Sequence, residues 1–453
     1  MTSRVVGVVL LVAVGAAWTA GCGGAKHKAR ESNRGSSINV AIVDTPNAED
    51  LARLTPSLFT RRSHIRVSYT NLDEGTLRDV ITSDLTSRSR QFDVVMIGPY
   101  EAPQYAKDGY ISDLTSMAAA SKAYRLADII PSIRTALSYR GRLYAAPFYG
   151  ESSFLMYRKD VLRKAGVTMP AHPTWGQVAA LARKVDRPDM AGICLRGKPG
   201  WGELGASFTT VLNTFGGTWW SAKPNGAPGK AMVTQPAFRN ALRFYVDLVR
   251  DAGERDAANA SFNECLRQYL SGKVAIWYDA TVGAGELEAS DSPVRGKNGY
   301  AAAPVERTRA SGWLWSWALA IPRTSDRADL ARRYVAWATG PRYVHEVGPK
   351  IAGGWAAIPP GTRRSTYAIP QYRKAARAFA RPTLGAIVSA PIDDPGTSRR
   401  PGYPGIQYVG IPQFQDVGDQ CTEQFSAVIR GRSTIDSALA NCENVAAAAV
   451  GDP

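Results

Sequence analysis

The stretch Ala145-Ala146-Pro147-Phe148-Tyr149-Gly150-Glu151 decides how this chain is divided. Two small residues lead into a proline, which cannot donate to a sheet or continue a helix. Two aromatics, a glycine and a carboxylate follow. Such punctuation between two apolar segments reads as a crossing between domains. Upstream, short apolar strands at 38–43, 65–69 and 92–97 alternate with a helix at 48–59. That alternation predicts an α/β protein with helices covering sheets. Ligands of open α/β sheets sit beyond the carboxyl ends of the strands. The turns Asp44-Thr45-Pro46-Asn47 and Gly98-Pro99-Tyr100-Glu101 are therefore candidate site loops.

Downstream, a helix is predicted over 235–250, with Thr234 as its cap and Pro236 in its first turn. Phe238, Leu242, Tyr245, Val246 and Val249 share one apolar face, which is core. Trp313-Leu314-Trp315-Ser316-Trp317-Ala318-Leu319-Ala320-Ile321-Pro322 alternates aromatics and then turns fully apolar, as a strand entering a core does. Helices at 327–339 and 343–347 follow. Gly353-Gly354-Trp355-Ala356-Ala357-Ile358-Pro359-Pro360-Gly361 is a further candidate crossing, 395–405 reads as a loop, and helices at 414–430 and 435–445 close the chain. No internal repeat is present.

The N-terminus sets the compartment. Arg4 precedes an apolar run over 5–18 and then Thr19-Ala20-Gly21-Cys22. The run is shorter than the roughly 20 residues a spanning helix needs, so residues 1–21 read as a signal peptide. The pattern resembles the bacterial lipoprotein lipobox, which implies a lipid on Cys22 and a mature chain starting there. Residues 22–37 have too few apolar groups to order themselves and read as a flexible tether. The remainder is long enough for two domains.

A formal charge of +16 invites a nucleic-acid reading. The basic residues are scattered without a dense basic helix, and export argues the same way, so no nucleic acid is expected. Cys194, Cys265, Cys421 and Cys442 remain after Cys22. An even number outside the cytosol permits disulfides. Cys421 and Cys442 bracket a helical hairpin and are the first pairing to expect, leaving Cys194 with Cys265, although three connectivities stay open. None has CxxC spacing, and no metal or other cofactor is expected.

Several blocks resemble the extracellular solute-binding proteins of ABC importers, the group that includes maltose-binding protein, and above all its sorbitol/mannitol-binding branch. They are Pro147-Phe148-Tyr149-Gly150-Glu151-Ser152-Ser153-Phe154-Leu155-Met156-Tyr157-Arg158-Lys159-Asp160, Gly192-Ile193-Cys194-Leu195-Arg196-Gly197-Lys198-Pro199-Gly200-Trp201-Gly202-Glu203 and Asn213-Thr214-Phe215-Gly216-Gly217. Later come Trp277-Tyr278-Asp279-Ala280-Thr281, the 313–322 run, Pro359-Pro360-Gly361-Thr362-Arg363 and Gln407-Tyr408-Val409-Gly410-Ile411-Pro412-Gln413-Phe414. The resemblance implies a two-lobed periplasmic-binding-protein-like fold with the ligand in the cleft between lobes. It implies an N-terminal lobe of 38–148 and 309–356 and a C-terminal lobe of 149–308 and 357–453. It also implies a monomer on the extracytoplasmic face of the membrane, a permease as partner, and a polyol such as sorbitol or mannitol as solute.

A polyol presents hydroxyls along an apolar carbon chain. Its site needs polar side chains that bond neighbouring hydroxyls and aromatic faces for the C–H edge. Strand-end and crossing loops supply Asp44, Tyr100, Glu101, Glu151, Arg196, Lys198, Trp201, Glu203, Tyr278, Asp279, Trp313, Trp315, Trp355 and Gln407 as candidates. Each has a structural rival. The tryptophans of the 313–317 run can be core, Asp44 a turn residue, Glu151 and Asp279 caps, and Arg196 with Lys198 a solvated ion pair. Two other readings compete for the whole protein. One is a binder of a cyclic mono- or disaccharide, which eleven tryptophans would suit. The other is a secreted lipoprotein glycosidase, which needs two carboxylates in a cleft. HExxH, GxSxG and P-loop patterns are absent, and the four histidines lie in unrelated contexts.

Overall fold

The computed structural model describes residues 36–390, 392–393 and 404–451. The expected signal peptide, Cys22, all but the end of the expected tether and most of the 395–405 loop lie outside the described residues. The described residues form one compact unit built on two main sheets. In the first, β1 (Ser37–Val43), β2 (Arg66–Leu72), β3 (Val94–Ile97), β4 (Ala146–Glu151) and β9 (Trp315–Ala320) stand in the order β2-β1-β3-β9-β4. β1 runs parallel to β2 and β3, and β9 runs antiparallel to β3 and β4. In the second, β5 (Ser153–Arg158), β6 (Ala191–Cys194), β7 (Val274–Ala280) and β8 (Asn298–Ala302) stand in the order β8-β5-β7-β6. The architecture is the α/β one that the strand and helix alternation predicts.

Burial explains the strand composition. β1 presents Val40, Ala41, Ile42 and Val43 buried in succession, because a parallel strand covered on both faces has no solvent side. β7 is buried along its whole length, Asp279 included. β2 is an edge strand and alternates exposed with half-buried residues.

Three stretches pass between the sheets. β4 ends at Glu151 and β5 begins at Ser153, so a single residue separates them. The chain returns between β8 and β9. In the third stretch, Ser290 N–H donates to Gly353 O at 3.0 Å. Farther along, Asn47 Nδ2 donates to Ala357 O and Gly150 N–H to Pro360 O, both at 2.9 Å. Gly361, at φ +83°, lies so close to the Gly150 carbonyl that a Cβ there would collide with it.

Some boundaries differ from expectation. The α-helix expected over 48–59 runs Pro46–Thr55 and then widens into a π-turn over Pro56–Thr60, where Pro56 has no N–H to offer the α ladder. Thr234 does not cap the Pro236–Ala252 helix. Its N-cap is Gln235, without a side-chain bond, and the Thr234 N–H donates instead to Glu443 at 2.9 Å. The five apolar residues named on that helix are buried. Both expected disulfides are formed, Cys194–Cys265 and Cys421–Cys442. The second staples the Phe414–Ile429 helix to the Ile435–Ala449 helix, whose cap is Thr434. Among the described residues no helix is long and apolar enough to cross a membrane.

Candidate functional site

The carboxyl ends of strands from both sheets converge on one cavity of about 470 Å³, the open space at its mouth included. Thr45 reaches it from the end of β1, Glu74 and Arg78 from the Glu74–Ser87 helix that follows β2, and Glu151 from the end of β4. From the second sheet come Arg196 just beyond β6, Trp201 and Gly202 in the loop after it, and Ala280 at the end of β7. Trp313, Trp315 and Trp317 line one wall together. They approach the same edge because β9 runs antiparallel, so its beginning lies where its neighbours end.

Arg196 is the polar anchor of the second-sheet side. Its Nε and Nη2 donate to the two carboxylate oxygens of Asp279 at 3.0 and 2.6 Å, and its Nη1 donates to Gly202 O at 2.9 Å. Asp279 is fully buried and also accepts from Trp277 Nε1 at 3.2 Å. A planar fork matched to a carboxylate fixes the guanidinium in one plane. The Cys194–Cys265 disulfide ties the strand leading to Arg196 to the Phe262–Leu270 helix, which supplies Phe262 to the lining.

Arg78 mirrors it from the first-sheet side. Its Nε donates to Glu101 at 2.8 Å and its Nη1 to Glu74 at 2.6 Å, while Glu101 also accepts from Gly98 N–H at 2.9 Å. Burial pulls the Arg78 pKa down, but Glu74 and Glu101 outweigh it and hold the guanidinium charged. The two sides meet across the cavity. Arg78 lies over the Trp201 ring, Glu74 comes within 3.9 Å of Arg196, and Lys198 within 3.7 Å of Asp73. Asn263 Nδ2 donates to Asp44 O at 2.9 Å, and Tyr100 Oη donates to Ile411 O at 3.0 Å.

Lining side chains leave buried polar atoms without a partner among the described residues. Arg78 Nη2, Trp201 Nε1 and Trp313 Nε1 are donors, and Gln407 Oε1 is an acceptor, its Nε2 being held by Leu314 O at 3.1 Å. The Glu151 carboxyl, 6 % exposed, has no hydrogen bond to any described residue. Burial pushes its pKa up to about 8, against the pull of Arg196 and with help from Asp279 and Glu74. Glu203, behind Arg196, is also raised by burial.

The sequence candidates divide into three groups. Glu151, Arg196, Trp201, Trp313, Trp315 and Gln407 line the cavity. Glu101, Glu203 and Asp279 stand behind it and orient or balance the two arginines, and Lys198 bridges Glu203 and Asp73 at 3.7 Å each. The structure places the rest elsewhere. The Asp44 carboxylate accepts from Asn71 at 2.8 Å, as a strand-end residue does, and its neighbour Thr45 faces the cavity instead. Tyr100 packs against Trp201 and Tyr408 and bonds to the 411–415 backbone. Tyr278 sits in the core, its Oη 3.0 Å from Ser153 Oγ. Trp355 lines a separate cleft with Lys159, Asn298 and Lys374. Glu74 and Arg78 were not among the candidates, although the strand-end rule that selects Asp44 applies equally to the turn after β2.

Residues 34–345 match the family described as bacterial extracellular solute-binding protein. A mannitol-binding protein of Pseudomonas aeruginosa is 38% identical over 409 residues, covering 89% of this chain and 90% of its own. An ABC transporter solute-binding protein of Agrobacterium vitis, crystallised with bound D-mannitol, superimposes with a TM-score of 0.86 at 40% identity, over 90% of this chain and 97% of that one. A maltose-bound T. maritima protein shares the fold at a TM-score of 0.74 and 20% identity, over 90% of this chain and 98% of its own. The family and these neighbours are binding proteins. The chain belongs to the bacterial extracellular solute-binding proteins.

Proposed function

We propose that this protein captures an acyclic polyol of the mannitol or sorbitol kind and delivers it to the permease of an ABC importer. The observation that carries this reading is the mixture of unmatched groups around one cavity that opens to solvent at its mouth. Gln407 wants a donor, Arg78, Trp201 and Trp313 want acceptors, and the Glu151 carboxyl lines the same cavity. A hydroxyl answers both, since it donates once and accepts twice. A linear polyol repeats that group on every carbon and turns its C–H edges to the tryptophan wall. Each buried polar atom left unmatched costs about 1–3 kcal/mol, so a solute that satisfies several at once is favoured. The mannitol-binding relatives support the same choice.

Binding without chemistry fits the carboxylates. Asp279 is held by Arg196, and Glu74 and Glu101 by Arg78, whereas a glycosidase needs two carboxylates at the scissile bond. In our reading, the lobes span 38–148 with 309–356 and 149–308 with 357–453, and β4 carries the first sheet across that boundary as far as Glu151. The solute bridges them and shifts an open–closed equilibrium toward closed. We place the protein on the extracytoplasmic face of the membrane as a monomer, anchored by a lipid on Cys22 through the 22–37 tether.

Calorimetry and thermal shift with D-mannitol, D-sorbitol, D-arabitol and maltose test the assignment. One or more of the polyols should bind, stabilise the protein and be recovered unaltered. Stabilisation by maltose with no response to the polyols would overturn it.

A further inference from the structure

We propose that the same cavity also takes amino-alditols, polyols ending in an ammonium group, and rejects sugar acids and sugar phosphates. This rests on the polyol reading and adds a charge rule to it. Five carboxylates, Glu74, Glu101, Glu151, Glu203 and Asp279, are gathered at or just behind the wall, against three cations, Arg78, Arg196 and Lys198. Both guanidiniums are ion-paired, Arg196 with Asp279 and Arg78 with Glu74 and Glu101, and Arg78 keeps one donor, Nη2, free for a ligand hydroxyl. Glu151 alone among the five carboxylates lines the cavity buried and without an ion pair or hydrogen bond. Gln407 Oε1, another buried acceptor of a lining residue, is unmatched as well.

An ammonium supplies three donors and the missing positive charge, and its bond to a carboxylate is roughly twice as strong as a neutral one. A carboxylate or phosphate on the ligand would instead bring negative charge into a buried site whose cations are already ion-paired, Arg78 with Glu74 and Glu101, Arg196 with Asp279 and Lys198 with Glu203, so that no unpaired positive charge remains to receive it. The groups facing Glu151 are Glu74 and Arg78 from the helix after β2, Arg196 beyond β6, Asp279 on β7 and Tyr149 on its own strand. With its pKa near 8, Glu151 meets a neutral hexitol as an acid at pH 7 and must release its proton to an ammonium ligand. The affinity for an amino-alditol should therefore rise by about tenfold per pH unit up to about pH 8. The amine, held somewhat below lysine's roughly 10.4 by the hydroxyl on its neighbouring carbon, stays mainly charged over the same range.

Isothermal calorimetry of the purified protein with D-mannitol, 1-amino-1-deoxy-D-mannitol and D-mannonate at pH 6.5, 7.5 and 8.5 tests this. The amino-hexitol should gain on mannitol by at least about fivefold between pH 6.5 and 7.5, and mannonate should bind at least about 100-fold more weakly than mannitol at every pH. In Glu151→Gln the amino-hexitol should lose about tenfold relative to mannitol, and its pH dependence should flatten. The wild-type pH series stands by itself if that variant fails to fold. Mannitol binding without the amino-hexitol, or mannonate binding as well as mannitol, would overturn this inference alone. If neither mannitol nor the amino-hexitol bound, this inference would fall, and the polyol reading would fall with it if D-sorbitol and D-arabitol also failed to bind.

Discussion

Arg78 Cζ lies 4.1 Å from the centroid of the Trp201 ring, so a guanidinium from one side of the cavity is seated on an indole from the other. A cation over a desolvated indole is worth up to about 2 kcal/mol, and this pair exists only when the two sides meet. Trp201→Ala should weaken polyol binding by about 2 kcal/mol, near 30-fold, with a smaller effect on the empty protein. Arg78→Met should act differently. It strands buried Glu101 beside Glu74, so the empty protein should lose about 3–5 kcal/mol, read by urea denaturation.

Gly202 occupies the seam itself. A Cβ there would fall on the Glu74 carboxylate and the Arg78 guanidinium, both across the cavity. Gly202→Ala should leave the melting temperature of the empty protein unchanged. Overpacking costs about 1–3 kcal/mol, so affinity should drop by about tenfold or more. Small-angle scattering should show the ligand-induced compaction reduced, and an unaltered Kd would contradict this account of the seam.

The two disulfides should separate stability from binding. Their closed loops span 71 and 21 residues, which corresponds to about 4 and about 3 kcal/mol of stabilisation on the loop-entropy account. Replacing Cys421 and Cys442 by serine should lower stability alone. Replacing Cys194 and Cys265 should also weaken polyol binding, because that bond joins the strand before Arg196 to the helix carrying Phe262. Denaturation curves and titrations of both double variants check this.

The stability of the empty protein should fall with rising pH. Glu151 has its pKa raised from 4.5 to about 8 by burial, so the folded chain keeps a proton that the unfolded chain has lost across that window. Stability is therefore highest near the lower limit and declines toward the upper one, by a few kcal/mol at about 1.4 kcal/mol per unit. Glu203 acts in the same sense. Glu151→Gln should flatten the profile of melting temperature against pH between 5 and 9.

Much of this was legible from local chemistry. Alternating strands and helices announce the two sheets, and the proline-and-glycine run at 145–151 sits where the chain leaves one sheet for the other. The tryptophan alternation at 313–317 shows a shared face, but only the antiparallel placement of β9 decides that the face looks into the cavity. Asp279 and Glu101 read in sequence as candidate ligand contacts, yet each is turned to an arginine by a partner 83 or 23 residues away. Long-range pairing of this kind leaves no local signature. Trp355 stands in a glycine-rich crossing as a binding residue would, and the backbone carries it to a different cleft. Arg78 stayed hidden because a charged residue four positions into a helix after a polar turn looks solvated until the opposite side covers it.

Ser152, the lone residue between β4 and β5, constrains how the molecule can move. A link of one residue spans only about 3.5 Å, so it gives the sheets no slack to slide or draw apart beside Glu151. What remains is pivoting, with the other two connections turning about nearby axes. Glu151 therefore stands close to the fulcrum and travels little, while the parts of the cavity rim farther from that link swing more. A solute can be met first by an almost stationary carboxyl and enclosed afterwards by the rim that moves.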